Sequence, residues 1–327
     1  MFKKNEPIKR DSLAVYHAKK RAVSISMRLF RLCMIITMSY LFMFPLYYML
    51  VVSFQRPDLA VDPTSVYVPK AFSTEAYKIA FKQLDYKNSA LLSLIISVLS
   101  TVLTAISCSL TGYAFARFEF KGKKIAFLFV MLLIVIPPQQ IIVPQSLMYK
   151  SFNFGGLLSL FGVELNLLNT PFVFVLPSMF AVGLKAGIFI FIFRQFFLGQ
   201  PRELEEAAKI DGCGALQTFI KVMAPLAKPA FVVVIMLCII WHWNDYYSSS
   251  MFFIDKIKPV MVCLERLRQN IVEMGTLPGL PKGNYTPVIL RMYLQAGGGF
   301  TITPPLFLYV FMQKQFVESI DRTGIVG

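Results

Sequence analysis

Along the chain, long blocks of Phe, Leu, Ile, Val and Met alternate with short polar intervals, and the blocks are too long for buried core elements of a soluble domain. A bilayer core about 30 Å thick needs about 20 apolar residues in a helix. Six blocks meet that requirement and predict six transmembrane helices, over about 32–54, 90–115, 125 through "FLFVMLLIVIPPQQIIVPQSL", 171–197, 224–247 and 292–312. The second block is rich in Ser and Thr, which let neighbouring helices approach and hydrogen-bond. Pro137-Pro138 must distort the far half of the third. The fourth contains Pro177, Gly183, Lys185 and Gly187 and reads as broken rather than straight. Pro304-Pro305 falls in the sixth. The fold class is an all-α integral membrane protein.

The polar intervals set the topology. Lys3, Lys4, Lys9, Arg10, Lys19, Lys20, Arg21, Arg28 and Arg31 crowd into 1–31 against only Glu6 and Asp11, the pattern of a cytoplasmic flank. "ARFEFKGKK" and the stretch 194–228 go to the same side. This divides the chain into a basic cytoplasmic segment 1–31, a six-helix domain 32–312 and a cytoplasmic tail 313–327. Within the domain lie a cytoplasmic loop 198–225 and a long outer loop 248–291, the latter predicted to be partly helical between Pro259 and Gly275. That outer loop reads equally as a solvated connector or a docking element.

Composition sharpens the membrane reading. The 327 residues are 56% hydrophobic and 16% charged, against roughly 45–50% and about 25% in soluble domains, and mean hydropathy is +0.60. The net charge of +15 sits beside spans rather than on a basic folded domain, which argues against nucleic acid. Five cysteines without paired spacing and two distant histidines offer no disulfide framework and no metal site. The first apolar block is too long, and lacks the small-residue site, for a cleaved signal peptide.

The loop 198–225 carries the most information. In "QPRELEEAAKIDGCGALQTFIKVMAPLAKP", Pro201 suits a first helical position, and Glu203, Glu205 and Glu206 favour a helix N-terminus. Leu204, Ala207, Ala208 and Asp211 share a face, and Gly212 and Gly214 stop the helix. A second short helix is predicted to follow, with an apolar stripe of Leu216, Phe219, Ile220 and Met223. The pattern suits either an interfacial loop or a docking surface built on small residues.

Energetics separate the function classes. Ion-coupled transport usually needs carboxylates or histidines at midplane depth, yet the blocks hold few ionisable groups, among them Lys185 and, near an outer end, Asp245. This weighs against a secondary transporter or channel, the alternative reading. A membrane-embedded enzyme would need a His, Cys or carboxylate constellation, which is absent. The chain also has no G-x-x-x-x-G-K-[ST] phosphate loop, so energy for uphill transport has to enter from another subunit.

The stretch Glu206-Ala207-Ala208-Lys209-Ile210-Asp211-Gly212 resembles the EAA loop of permeases of ATP-binding-cassette (ABC) importers, in the carbohydrate-uptake, maltose MalG-like branch. That family's pattern is E-A-A, three residues, Gly, nine residues, then I-x-L-P. Here Val222-Met223-Ala224-Pro225 follows Gly212 at that spacing, with Val and Ala in place of Ile and Leu. "GYAFARFEFKGKK", "WNDYY" and "PPLFLYVFMQKQFVESIDRTGIVG" also resemble family segments, although Ser319 and Val326 replace the usual Gly and Lys.

The resemblance implies the type I importer permease fold, with a cytoplasmic coupling helix in the bacterial inner membrane. It also implies the partners: a second permease subunit in a heterodimer, a cytoplasmic ATPase dimer that binds ATP and Mg, and an extracytoplasmic solute-binding protein that delivers a sugar. This chain itself would hold no cofactor and catalyse nothing. Glu206, Ala207, Ala208, Asp211 and Gly212 become the ATPase-coupling residues. Trp243, Asn244, Asp245 and Lys185 become candidates for the translocation path. On this reading Gly212→Asp or Ala208→Arg uncouples hydrolysis from transport without unfolding the chain.

Overall fold

The computed structural model describes residues 10–56, 68, 71–155, 164–255, 257–275 and 287–324, and the expectations for 1–9, 276–286 and 325–327 lie outside them. Among the described residues the chain is helical, with two isolated antiparallel bridges, Gln55 to Phe72 and Phe152 to Leu165, and no named strand.

Helix α1 (Arg10–Ser53) runs without interruption from the basic segment through the first apolar block, Pro45 included. The expected boundary at 31/32 is therefore a change of composition inside one helix. α2 (Glu75–Gln83) leads into α3 (Tyr86–Arg117), a 32-residue helix through the middle of the molecule. α4 (Lys123–Val135) stops just before Pro137-Pro138, a 3-10 turn covers Pro138–Gln140, and α5 (Ile142–Lys150) resumes. The stop has a physical cause: Pro cannot donate to the helical ladder and disfavours helical geometry in the residue before it.

The break expected in the fourth block separates α6 (Phe172–Met179) from α7 (Ala186–Leu198). α8 (Glu203–Ile210) and α9 (Ala215–Thr218) follow, then a π turn at Phe219–Met223, α10 (Ala224–Leu226) and α11 (Lys228–Trp243). α12 (Tyr247–Phe252), α13 (Val260–Met274) and α14 (Pro287–Gly324) complete the chain. Pro304 and Pro305 lie inside α14, which stays continuous. Two stretches, Lys19–Ser53 and Tyr86–Arg117, are long and apolar enough to cross a bilayer alone. Ala215–Leu226 with Lys228–Trp243, bent by 79°, makes a third if the bent pair is one span rather than a re-entrant loop.

The core is built on α7. Phe189, Phe193 and Phe197 are fully buried and pack with Met223, Val234 and Cys238. Between helices in lipid the gain is close packing, because lipid tails are as apolar as the side chains. Gly112 of α3 provides it: a Cβ there would lie 2.7 Å from the Phe193 Cβ, closer than atoms can pack. Two of the α3 hydroxyls bond across contacts, whereas those of Ser97, Ser100, Thr101 and Thr104 are buried without a partner among the described residues. Ser107 Oγ donates to the Ser178 carbonyl at 2.7 Å, and Ser93 Oγ accepts from the Val260 amide at 2.8 Å.

A second core joins α2, α13 and α14, with Leu84, Leu267, Ile271, Ile289, Met292 and Tyr293 buried together. α13 starts after Pro259 and ends at Gly275, whose φ of 70° is left-handed. Asn169 Oδ1 accepts from the amides of Ile254 and Asp255 at 2.7 and 3.0 Å. α13, in the described part of 248–291, thus packs against α2, α3 and α14.

Candidate functional site

α8 begins two residues after Pro201, with Arg202 at the N-cap position and Glu203, Glu205 and Glu206 in its first turn. Its end is closed by two hydrogen bonds. The Cys213 amide donates to the Ala208 carbonyl at 2.9 Å and the Gly212 amide to the Lys209 carbonyl at 3.0 Å. That pair of bonds is a Schellman motif, which needs a left-handed residue after the helix. Gly212 supplies it at φ 83°. Gly214 is extended, and its amide donates to Gln217 Oε1 at 3.3 Å as α9 begins.

One face of α8 is locked to the bundle. Glu205 Oε1 lies 2.8 Å from Arg117 Nε, with the two side chains only 10% and 5% exposed. Arg117 Nη2 also donates to the Gln200 carbonyl at 2.7 Å. Arg117 ends α3, so the pair ties the central helix to both ends of the α7–α8 turn. Ala208 is buried one turn after Glu205. Downstream, Phe219 packs its ring 5.2 Å from Tyr113 and 6.1 Å from Phe197, centroid to centroid.

The other face is open. Leu204, Glu206, Ala207, Asp211 and Gly212 are exposed, and Ile210 is 87% exposed at the helix tip. Leu216 and Ile220 continue the apolar surface, 62% and 58% exposed. The predicted stripe of Leu216, Phe219, Ile220 and Met223 is split, because the π turn changes the residues per turn and sends Phe219 and Met223 inward.

Of the five candidate coupling residues, Ala208 alone faces the bundle. Ala208 is 5% exposed, so an arginine there is tolerated only if the packing around it gives way. Nothing lies within 4 Å of a Cβ placed on Gly212, so substitution there meets backbone strain and no clash.

The path candidates fall into two groups. Trp243 is buried and its Nε1 donates to the Thr301 carbonyl at 2.9 Å, which pins α11 to α14. Asp245 holds the start of α12, accepting from the Ser248 hydroxyl at 3.1 Å and the Ser249 amide at 3.0 Å. Both have structural employment. Asn244 and Lys185 are exposed, although Asn244 Nδ2 also donates to the Ile240 carbonyl at 2.9 Å. Lys185 sits at φ 58° where α7 begins and lines a cavity of about 240 Å³ with Gln145, Pro177, Gly183 and Ser248. Ser248 thus joins Asp245 to the cavity that Lys185 lines. Among the described residues no three His, Cys, Asp or Glu side chains cluster as a metal site.

Residues 108–257, from mid-α3 past α12, match the family described as binding-protein-dependent transport system inner membrane component. The chain is similar to the arabinooligosaccharides transport system permease protein AraQ of Halalkalibacterium halodurans. The two are 30% identical over 88% of this chain and 93% of that protein. This chain belongs to that permease family. The permease is also 26% identical to the polygalacturonan/rhamnogalacturonan transport system permease protein YtcP of Bacillus subtilis, over 86% of this chain and 92% of that one. Its fold is that of a chain in the crystal structure of a bacterial ABC transporter involved in import of the acidic polysaccharide alginate. The TM-score is 0.63, with 19% identity over 95% of this chain and 100% of that one. It is a permease subunit of an ABC importer, a transport component and not an enzyme.

Sequence reasoning missed the Arg117–Glu205 pair. Arg117 counted only as one more basic residue in "ARFEFKGKK", and Glu205 only as helix-start charge. The two lie far apart in the chain, so no local spacing announces the contact. The one available signal was an Arg at the very end of an apolar helix, where it meets whatever loop packs beneath.

Proposed function

We propose that the exposed face of α8, comprising Glu206, Ala207, Asp211 and Gly212 with Ile210 at its tip, is the surface on which a cytoplasmic ATPase dimer acts. The observation that carries this reading is the division of α8. Its outer face presents unpaired apolar surface, and its inner face is fixed to α3 through a buried ion pair. A push on such a helix reaches the transmembrane bundle as a rigid displacement. A loosely attached loop would absorb it. ATP and Mg are held by the partner ATPase, and this chain converts the resulting closure into inward–outward switching.

We also propose six crossings, by α1, α3, α4 with α5, α6 with α7, α11 and α14. α4 alone spans only about 20 Å at 1.5 Å per residue, so the third crossing needs both pieces. The basic clusters at 1–31 and 116–124 support cytoplasmic N- and C-termini, with the tail from 313 on that side. A second permease subunit completes the path as a heterodimer, and an extracytoplasmic binding protein delivers the solute. A sugar or oligosaccharide is the substrate this reading favours, supported by the names of the similar permeases. Lys185 and Asn244, both exposed, are the better path candidates of the original four.

The test is Ala207→Arg in the assembled importer. Ala207 is exposed, so the fold should shift by no more than about 0.5 kcal/mol. Solute uptake into proteoliposomes is expected to collapse, with the complex's thermal midpoint unchanged. Uptake at the wild-type rate would remove the coupling assignment. For the substrate, calorimetry of the cognate binding protein against neutral and acidic oligosaccharides decides. A receptor that ignores all of them and binds an amino acid or peptide would overturn the sugar reading.

A further inference from the structure

A pocket of about 700 Å³ opens between the 118–122 turn, α4 and α7. Its polar lining is Glu119, Lys123, Lys124 and Arg194. The Arg194 guanidinium carbon stands 4.1 Å from the centroid of the Phe127 ring, and Arg194 Nε is buried with no hydrogen-bond partner. Buried donors are nearly always satisfied, so an orphan here asks for an acceptor. Glu119 is the sole carboxylate of the lining and is already engaged, its Oε1 lying 2.9 Å from Lys123 Nζ. That contact holds the Glu119 carboxyl below the usual carboxylate range. Lys124 is exposed and in no ion pair among the described residues, and Lys121 is exposed beside it. The pocket therefore carries surplus positive charge.

Directly below the pocket, α4 presents Ile125, Leu128, Phe129 and Leu132 as exposed residues at helical spacing on one face. A cationic cup over an apolar stripe, at the end of a spanning helix, has the charge and polarity sequence of a phospholipid. We propose that this pocket binds the phosphate headgroup of an anionic phospholipid of the cytoplasmic leaflet, whose acyl chains lie along the α4 stripe. The leaflet follows from the topology proposed above. A free phosphate would satisfy the cup and leave the stripe bare.

The experiment uses the purified importer complex in bilayer discs of phosphatidylglycerol or phosphatidylcholine, with retained lipid counted by native mass spectrometry after detergent washing. The wild type is expected to retain phosphatidylglycerol selectively. Each basic side chain at an anionic surface contributes about fivefold, so Lys124→Gln with Arg194→Gln should weaken retention roughly thirtyfold. Lys124→Arg with Arg194→Lys should preserve it. Lys124→Gln alone, at an exposed position, gives the fivefold arm should the double variant assemble poorly. Equal retention of the two lipids overturns the proposal, and this is also the result if a neighbouring subunit covers the pocket. Undiminished retention in the double variant overturns it, as does displacement of the lipid by millimolar inorganic phosphate.

Discussion

Two of the molecule's helix breaks are made by different means. Between α8 and α9 the chain reverses through Gly212 at φ 83°, in open space. Between α6 and α7 it turns through Ala181 and Lys185, at φ 57° and 58°, around a Gly183 so enclosed that a Cβ would lie 2.7 Å from Ser178 Oγ. A non-glycine residue held in the left-handed region costs about 1–3 kcal/mol. The first break is thus relaxed and clamped at its base. The second is strained and lines a cavity. A relaxed, anchored element transmits force without changing shape, whereas a strained one lies nearer an alternative conformation. The contrast fits a lever at α8 and a moving part at the α6–α7 break.

The largest expected effect tests the anchor. Arg117→Ala strands Glu205 without its cation, and removing one partner of a buried pair costs about 3–5 kcal/mol. The complex should show a sharply lowered thermal midpoint and ATP hydrolysis no longer matched to uptake. A midpoint within a degree or two of wild type would mean that α8 is held by packing alone. At the second break, Gly183→Val forces side-chain volume against Ser178, an overpacking worth about 1–3 kcal/mol. Uptake should fall there with ATPase assembly intact. Loss of assembly instead would erase the distinction between lever and moving part.

These two sites also mark how far the sequence could be read. The stop at Gly212, the break near Gly183, the interruption at Pro137 and the limits of α13 were all legible, because Pro and Gly act on their immediate neighbours. The inward turn of Glu205 and Ala208 was not, since it depends on Arg117, brought close only by the packing of α3 on α7. The split of the Leu216–Met223 stripe was hidden for another reason. A periodic reading assumes one helical pitch, and the π turn changes it. Trp243 and Asp245 have the chemistry of pathway groups, and both also bond within the fold, to Thr301, Ser248 and Ser249. A residue type shows capacity for a contact, and only the neighbours show whether that capacity is already used.

A smaller pair of substitutions should have opposite signs. Gly212→Ala introduces left-handed strain of about 1–2 kcal/mol and should lower the thermal midpoint. Ala181→Gly relieves strain of that size at a cost of about 0.5–1 kcal/mol in backbone freedom, so its midpoint should hold or rise slightly. If both variants lose stability equally, the two breaks are energetically alike and the strained-versus-relaxed distinction fails.

The smallest stability effects give the cleanest functional separation. Glu206 is exposed in the first turn of α8, where its charge contributes about 0.3–1 kcal/mol to the helix N-terminus. Lys185 is exposed at the cavity. Neither Glu206→Gln nor Lys185→Gln should move the midpoint by more than a few degrees. Glu206→Gln should reduce the stimulation of ATP hydrolysis by solute-loaded binding protein and leave the KM for solute unchanged. Lys185→Gln should change the KM or the preference between neutral and acidic solutes and leave the stimulation unchanged. Steady-state uptake and hydrolysis on the same proteoliposomes measure both. If the two substitutions alter the same parameter, lever and cavity are one functional unit, and the difference in their backbone construction has no counterpart in transport.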